Sequence, residues 1–146
     1  MSAPSFRNVE ASPHDPVATW PYEALVETLE QGLVSDWQPV FAEIRSHPWG
    51  GVARRVTRWA GITPDHAAAA LFTAAIDRAR RRTEAGERKE VARRVRHAIE
   101  LSGLTSADFA ASIGTSASRL STYATGKVMP SAAMLLRIEC GSKSRQ

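Results

Sequence analysis

The sequence contains a single cysteine, Cys140, and no apolar run approaching the roughly 20 residues of a membrane-spanning helix. One thiol excludes an internal disulfide framework and any cysteine-rich zinc site. Residues 1–18 lack the apolar centre of a secretory leader, so a cytoplasmic protein is expected. Walker-type glycine loops, His-Glu-x-x-His, nucleophile elbows and paired metal-ligand spacings are all absent. The four histidines, His14, His47, His66 and His97, are scattered. Asp65 and His66 adjoin in sequence, but neighbours on a helix do not face each other. No cofactor, no metal and no enzymatic activity are therefore expected. Sustained alternation of apolar and polar residues is missing too, which excludes a β architecture and leaves an all-α fold.

Acidic residues are scarce in one part of the chain. Residues 1–47 hold two basic and seven acidic residues, whereas 48–146 hold seventeen basic and eight acidic ones. The pI near 9.8 is thus carried by the C-terminal two thirds. A basic segment of this kind suits a polyanion. With 43% apolar residues, a packed core is available and disorder is not the default.

Residues 1–18 mix Ser, Pro, Asn, His and Asp and read as a flexible arm. Thr19 or Trp20 precedes Pro21, a residue suited to a first helical turn, and Ala24, Leu25, Val26 and Leu29 continue a helix to Gly32. Ser35 or Asp36 is expected to cap a second helix with Trp37, Val40, Phe41 and Ile44. A third runs from Trp49 or Gly50 through Val52, Val56 and Trp59 to Gly61, and Thr63-Pro64-Asp65 is expected to start a fourth. Tryptophans and Phe41 crowd residues 20–59, which fits a compact helical core better than a partner surface, although aromatics also enrich interfaces. The charged stretch Asp77 to Arg94, with Arg80-Arg81-Arg82, is either a linker broken at Gly86 or part of one long helix. The arginine triplet reads as a solvated face, or as a contact to a nucleic-acid backbone. The spacing predicts an arm over 1–18, a helical domain over 19–84, a second domain over 85–141 and a disordered tail over 142–146.

The most informative segment is 104–126. Thr105 is an N-cap with Asp108 three residues on, the pattern of a capping box. Phe109, Ala110 and Ile113 form an apolar stripe, and Gly114 supplies the left-handed residue that ends the helix. Thr115 is expected to cap a second helix over 115–124, with Leu120 and Tyr123 inward and Ser116, Ala117, Ser118, Arg119 and Thr122 outward. Gly126 closes it, and another helix starts near Ser131.

Gly103-Leu104-Thr105, Phe109-Ala110, Ile113-Gly114-Thr115-Ser116, Leu120-Ser121, Gly126, Pro130-Ser131 and Leu135-Leu136-Arg137-Ile138 resemble the Xre/Cro/phage-repressor family of helix-turn-helix domains. The resemblance covers Glu90 to Cys140, a little over a third of the chain. It implies a small lambda-repressor-like domain after the N-terminal helical domain. It also implies that Ser106 bonds a DNA phosphate and that the second helix enters the major groove. The DNA-binding set so implied is Ser106, Thr115, Ser116, Ala117, Ser118, Arg119, Thr122, Thr125 and Lys127. The segment departs from the family in two ways. Its recognition helix carries hydroxyls and a methyl where long amides are usual, so base discrimination of about 1–3 kcal/mol is expected mainly from Arg119. Its fourth helix is not followed by the usual fifth, so another part of the molecule is expected to cover that side. The expected function is a sequence-specific repressor binding double-stranded DNA as a homodimer. The alternative is an autoregulating antitoxin that binds a toxin through residues 19–84. A ligand-sensing regulator ranks last, because nothing polar converges on the N-terminal tryptophans.

Overall fold

Helices built on buried apolar stripes make up the chain, of which the computed structural model describes residues 11–143. They form α1 (Tyr22–Gln31), α2 (Gln38–Ser46), α3 (Gly51–Ile62), α4 (Ala67–Ser102), α5 (Ser106–Ser112), α6 (Ala117–Thr125) and α7 (Ala132–Lys143). Short 3-10 turns occupy Val17–Thr19 and Val34–Trp37, and no strand occurs among the described residues. The fold is all-α. The chain divides into two compact units, Met1–Arg82 and Thr83–Gln146, with the boundary inside α4.

In the first unit, α1 to α3 and the first part of α4 enclose Leu25, Leu29, Val40, Ile44, Val56, Trp59 and Phe72, all at most 2% exposed. Phe41 stacks on Phe72 at 4.5 Å, and Trp37 meets Phe72 edge-on at 5.5 Å. Buried indoles need a partner for their N–H. Trp20 donates to Asp15 O, Trp37 to Thr28 O and Trp59 to Glu30 Oε1, at 2.9–3.0 Å. The crowded aromatics are therefore core, apart from Trp49, which is exposed with the Arg80 guanidinium 5.9 Å from its ring.

Three expectations for this unit need correction. Residues 1–10 of the expected arm lie outside the described residues, but 11–18 are structured. The Asp15 carboxylate accepts from Ser12 N–H at 3.0 Å, and Val17 is buried because it adds apolar surface to the core. The second helix starts at Gln38, because Asp36 instead accepts from Leu33 N–H at 2.8 Å and holds the preceding 3-10 turn. Finally, α4 starts at Ala67, not at Thr63. His66 takes the capping role, its Nδ1 accepting from Ala68 N–H at 3.1 Å while the ring packs edge-on against Trp59.

Helix α4 runs through Gly86 without a break. A mid-helix glycine costs about 1 kcal/mol, and the flanking Glu, Ala, Arg and Lys residues are good helix formers. In the second unit, Val95 and Ala98 of α4 pack with Phe109 and Ala110 of α5, Leu120 of α6 and Ile138 of α7. Helix α7 extends to Lys143 with Ser142 buried, so the chain is ordered where a tail from 142 is expected; residues 144–146 lie outside the described residues. Gly141 permits this extension. A Cβ there would lie 2.8 Å from Ile113 Cγ2, so only glycine lets α7 come this close.

Candidate nucleic-acid interface

The second unit presents α5 and α6 as two short helices joined by a tight turn. Thr105 Oγ1 accepts from Asp108 N–H at 3.1 Å, as expected of the N-cap of α5. Asp108 makes no return bond, so half of the expected capping box is present. The end of α5 is a Schellman arrangement: Thr115 N–H bonds Ala110 O at 3.0 Å and Gly114 N–H bonds Ala111 O at 3.3 Å. Gly114 has φ +79°, a conformation that a side chain disfavours.

The cap of α6 is Ser116, whose Oγ accepts from Arg119 N–H at 3.2 Å. Thr115 does not fill this role. Its N–H is committed to the Schellman bond, which draws the residue into the turn and leaves Oγ1 buried with no hydrogen-bond partner. The second helix of the motif consequently spans Ala117–Thr125, not 115–124.

The outward face of α6 divides by what its polar groups already do. Thr122 Oγ1 donates to Arg119 O at 2.6 Å, and Thr125 Oγ1 donates to Ser121 O at 3.0 Å. These hydroxyls keep acceptor capacity only. Ser116 and Ser118 are exposed with their oxygens 3.4 Å apart, and Ala117 is an exposed methyl between them. Arg119 is exposed, and its guanidinium has no partner among the described residues. Ser106, in the first turn of α5, and Lys127, in the loop after α6, are exposed as well. Leu120 is fully buried and Tyr123 half-buried, so the inward side of the helix is as expected.

Two arginines that the sequence reading passed over hold α6 in place. Arg96 donates to Ala124 O at 2.7 Å, and Arg88 donates to Gly126 O at 3.1 Å and Lys127 O at 3.2 Å. Both come from α4 and meet the carbonyls at the C-terminal end of α6. Those carbonyls lack intrahelical partners and carry the negative end of the helix dipole. Gly126, at φ +80°, turns the chain so that they face α4. Arg94 adds a 2.6 Å ion pair to Glu139 of α7. Arg93, bonded to Glu90 at 2.6 and 2.9 Å, holds the Glu90 carboxyl below the usual carboxylate range. The sequence signal for the braces was weak: basic residues one helical turn or two apart on α4, 28–39 positions from the groups they bind.

Several of the nine sequence-derived site residues therefore cluster at one end of α6. Ser116, Ala117, Ser118 and Arg119 lie together in the exposed N-terminal turns of α6, while Thr122 and Thr125 follow with their protons spent. Thr115 is set apart by its buried hydroxyl.

Residues 95–141 match the helix-turn-helix family of Xre and lambda-repressor-like domains, whose members are DNA-binding regulatory domains. No curated protein and no solved structure matches the chain. No described helix is long and apolar enough to cross a membrane.

Proposed function

We propose that this protein is a sequence-specific transcriptional regulator that lays α6 into the major groove of its operator and acts there as a dimeric repressor. The observation that carries this reading is the exposed, unpartnered guanidinium of Arg119 on the outer face of a helix clamped at both ends. A guanidinium with no internal partner is free to make the bidentate bond to guanine that gives base discrimination. Ala117 suits a thymine methyl. Ser118, Ser106 and Lys127 carry protons that are available to phosphate oxygens, and phosphate contacts fix register without reading sequence. Thr122 and Thr125, whose protons are engaged, take the minor role of acceptors.

A recognition helix with one long base-reading side chain gives limited affinity alone. Pairing two copies on half-sites about 34 Å apart, one helical turn, restores it. The test is selection of bound DNA from a random pool, with the mass of the complex measured. Enrichment of two symmetric half-sites, with two chains per site, is expected. An unenriched pool contradicts the specific-binding reading, and one chain on an asymmetric site contradicts the dimer.

A further inference from the structure

Helices α2 and α4 of the first unit leave an open groove of about 240 Å³. It is open because of spacing. Leu71, Ala75 and Ala79 recur every fourth residue of α4 along one of its edges, and the alanines are too small to fill the space. Ile44 and Ala79 are buried at its base, Phe41 is half-buried, and Leu71 is left 48% exposed. Arg45 of α2 and Arg78 and Arg82 of α4 line the same groove. None of these three guanidinium groups has an ion-pair or hydrogen-bond partner among the described residues, and no carboxylate lines the groove.

Arginine cannot shed its charge, so three of them along one rim make that edge of the groove positive and favour an anionic group there. An apolar floor beneath such a rim specifies the rest of the ligand. A bare anion leaves Leu71 and Phe41 wet, and a neutral apolar body leaves the arginines uncompensated. The volume lies below the range usual for drug-sized ligands, which points to a short chain. We infer that this groove binds a small amphipathic carboxylate, a medium-chain fatty acid free in solution. Its chain lies along Phe41, Leu71 and Ala75, and its carboxylate accepts hydrogen bonds from Arg78 and Arg82, with Arg45 alongside. No residue of this site belongs to the DNA-reading face, so the two readings stand or fall separately. The arginines escape sequence inspection because Arg45 is 33 positions from Arg78 and reaches the groove from another helix.

The test titrates the full chain with octanoate, octan-1-ol and octylammonium, following amide resonances of α2 and α4. Octanoate is expected to shift Leu71, Ala75 and Ala79 and to bind about tenfold or more tighter than octan-1-ol, with octylammonium weakest. The exposed double substitution Arg78→Ala/Arg82→Ala should keep the circular dichroism spectrum and weaken octanoate by about tenfold. A second variant, Leu71→Glu, should also keep the fold and abolish binding by placing a carboxylate on the apolar wall. Equal binding of octanoate and octan-1-ol, or unchanged affinity in the arginine variant, would overturn the proposal. So would binding of anionic phospholipid vesicles but not free octanoate, or a dimer that the arginine variant dissociates while octanoate is inert.

Discussion

The two units solve the same problem with different means. The first holds its helices with large aromatic side chains whose polar atoms are satisfied internally, as in Trp59 on Glu30 and Trp37 on Thr28. The second has one fully buried aromatic, Phe109, among small aliphatic residues. It ties its short helices at their ends: Ser116 at the start of α6, Arg96 and Arg88 at its finish, and the Schellman turn at Gly114. Arginine braces occur in both units: in the first, Arg55 donates to Trp20 O and Ala18 O, and Arg80 donates to Pro48 O. The difference shows in α6, a nine-residue helix that buries only Leu120 and is held by polar bonds at both of its termini.

The largest expected effect comes from removing the one fully buried aromatic of the second unit. Phe109→Ala should cost about 3–5 kcal/mol, close to the whole stability of a small domain. All four tryptophans lie in the first unit, so their emission reports that unit alone. The expected outcome is lost helical circular dichroism with tryptophan emission retained. Emission falling in step with the dichroism would show that the two units unfold as one.

Next comes the brace. Arg96→Ala should destabilise the second unit by about 1 kcal/mol in urea unfolding, since it strips a charged donor from a helix-end carbonyl that water then partly satisfies. If the midpoint does not move, the polar-brace half of the comparison fails.

Two neighbouring substitutions sharpen it further by having opposite signs. Ser116→Ala removes the cap and should cost about 1 kcal/mol. Thr115→Val replaces a buried, unpartnered hydroxyl by a methyl and should stabilise by about 1 kcal/mol. Thermal melts of both variants check the pair; destabilisation by both would return the capping role to Thr115.

The smallest effect is electrostatic. Glu90 has its acid strength raised by Arg93, so its contribution is present above the ordinary carboxylate range and is lost as pH falls through the lowered folded value. Glu90→Gln should therefore lower the melting temperature slightly at neutral pH and not at all in strong acid. Because the pair is exposed, added salt should erase the difference.

Much of the fold was legible because the decisive signals are local. Gly114 and Gly126 stand where the chain must take positive φ, and Leu120 falls on the apolar side of a 3.6-residue period. The misreadings arose where two local signals compete. Thr115 and Ser116 are adjacent and both cap well, and only the hydrogen bond from Thr115 N–H to Ala110 O decides between them. His66 lies outside the usual capping residues, and its role depends on packing against Trp59. The Arg88 and Arg96 braces and the Arg45–Arg78–Arg82 rim join residues far apart in the chain, and no local pattern marks such meetings.

The claim that α6 reads sequence through Arg119 is tested most directly by an anisotropy titration on the selected operator and on random duplex. Arg119→Ala and Lys127→Ala are compared at several salt concentrations. Arg119→Ala should lose about 1–3 kcal/mol on the operator and little on random DNA, whereas Lys127→Ala should weaken both alike and reduce the salt slope by about 1. Equal losses on operator and random duplex for Arg119→Ala, or none on either, would contradict it.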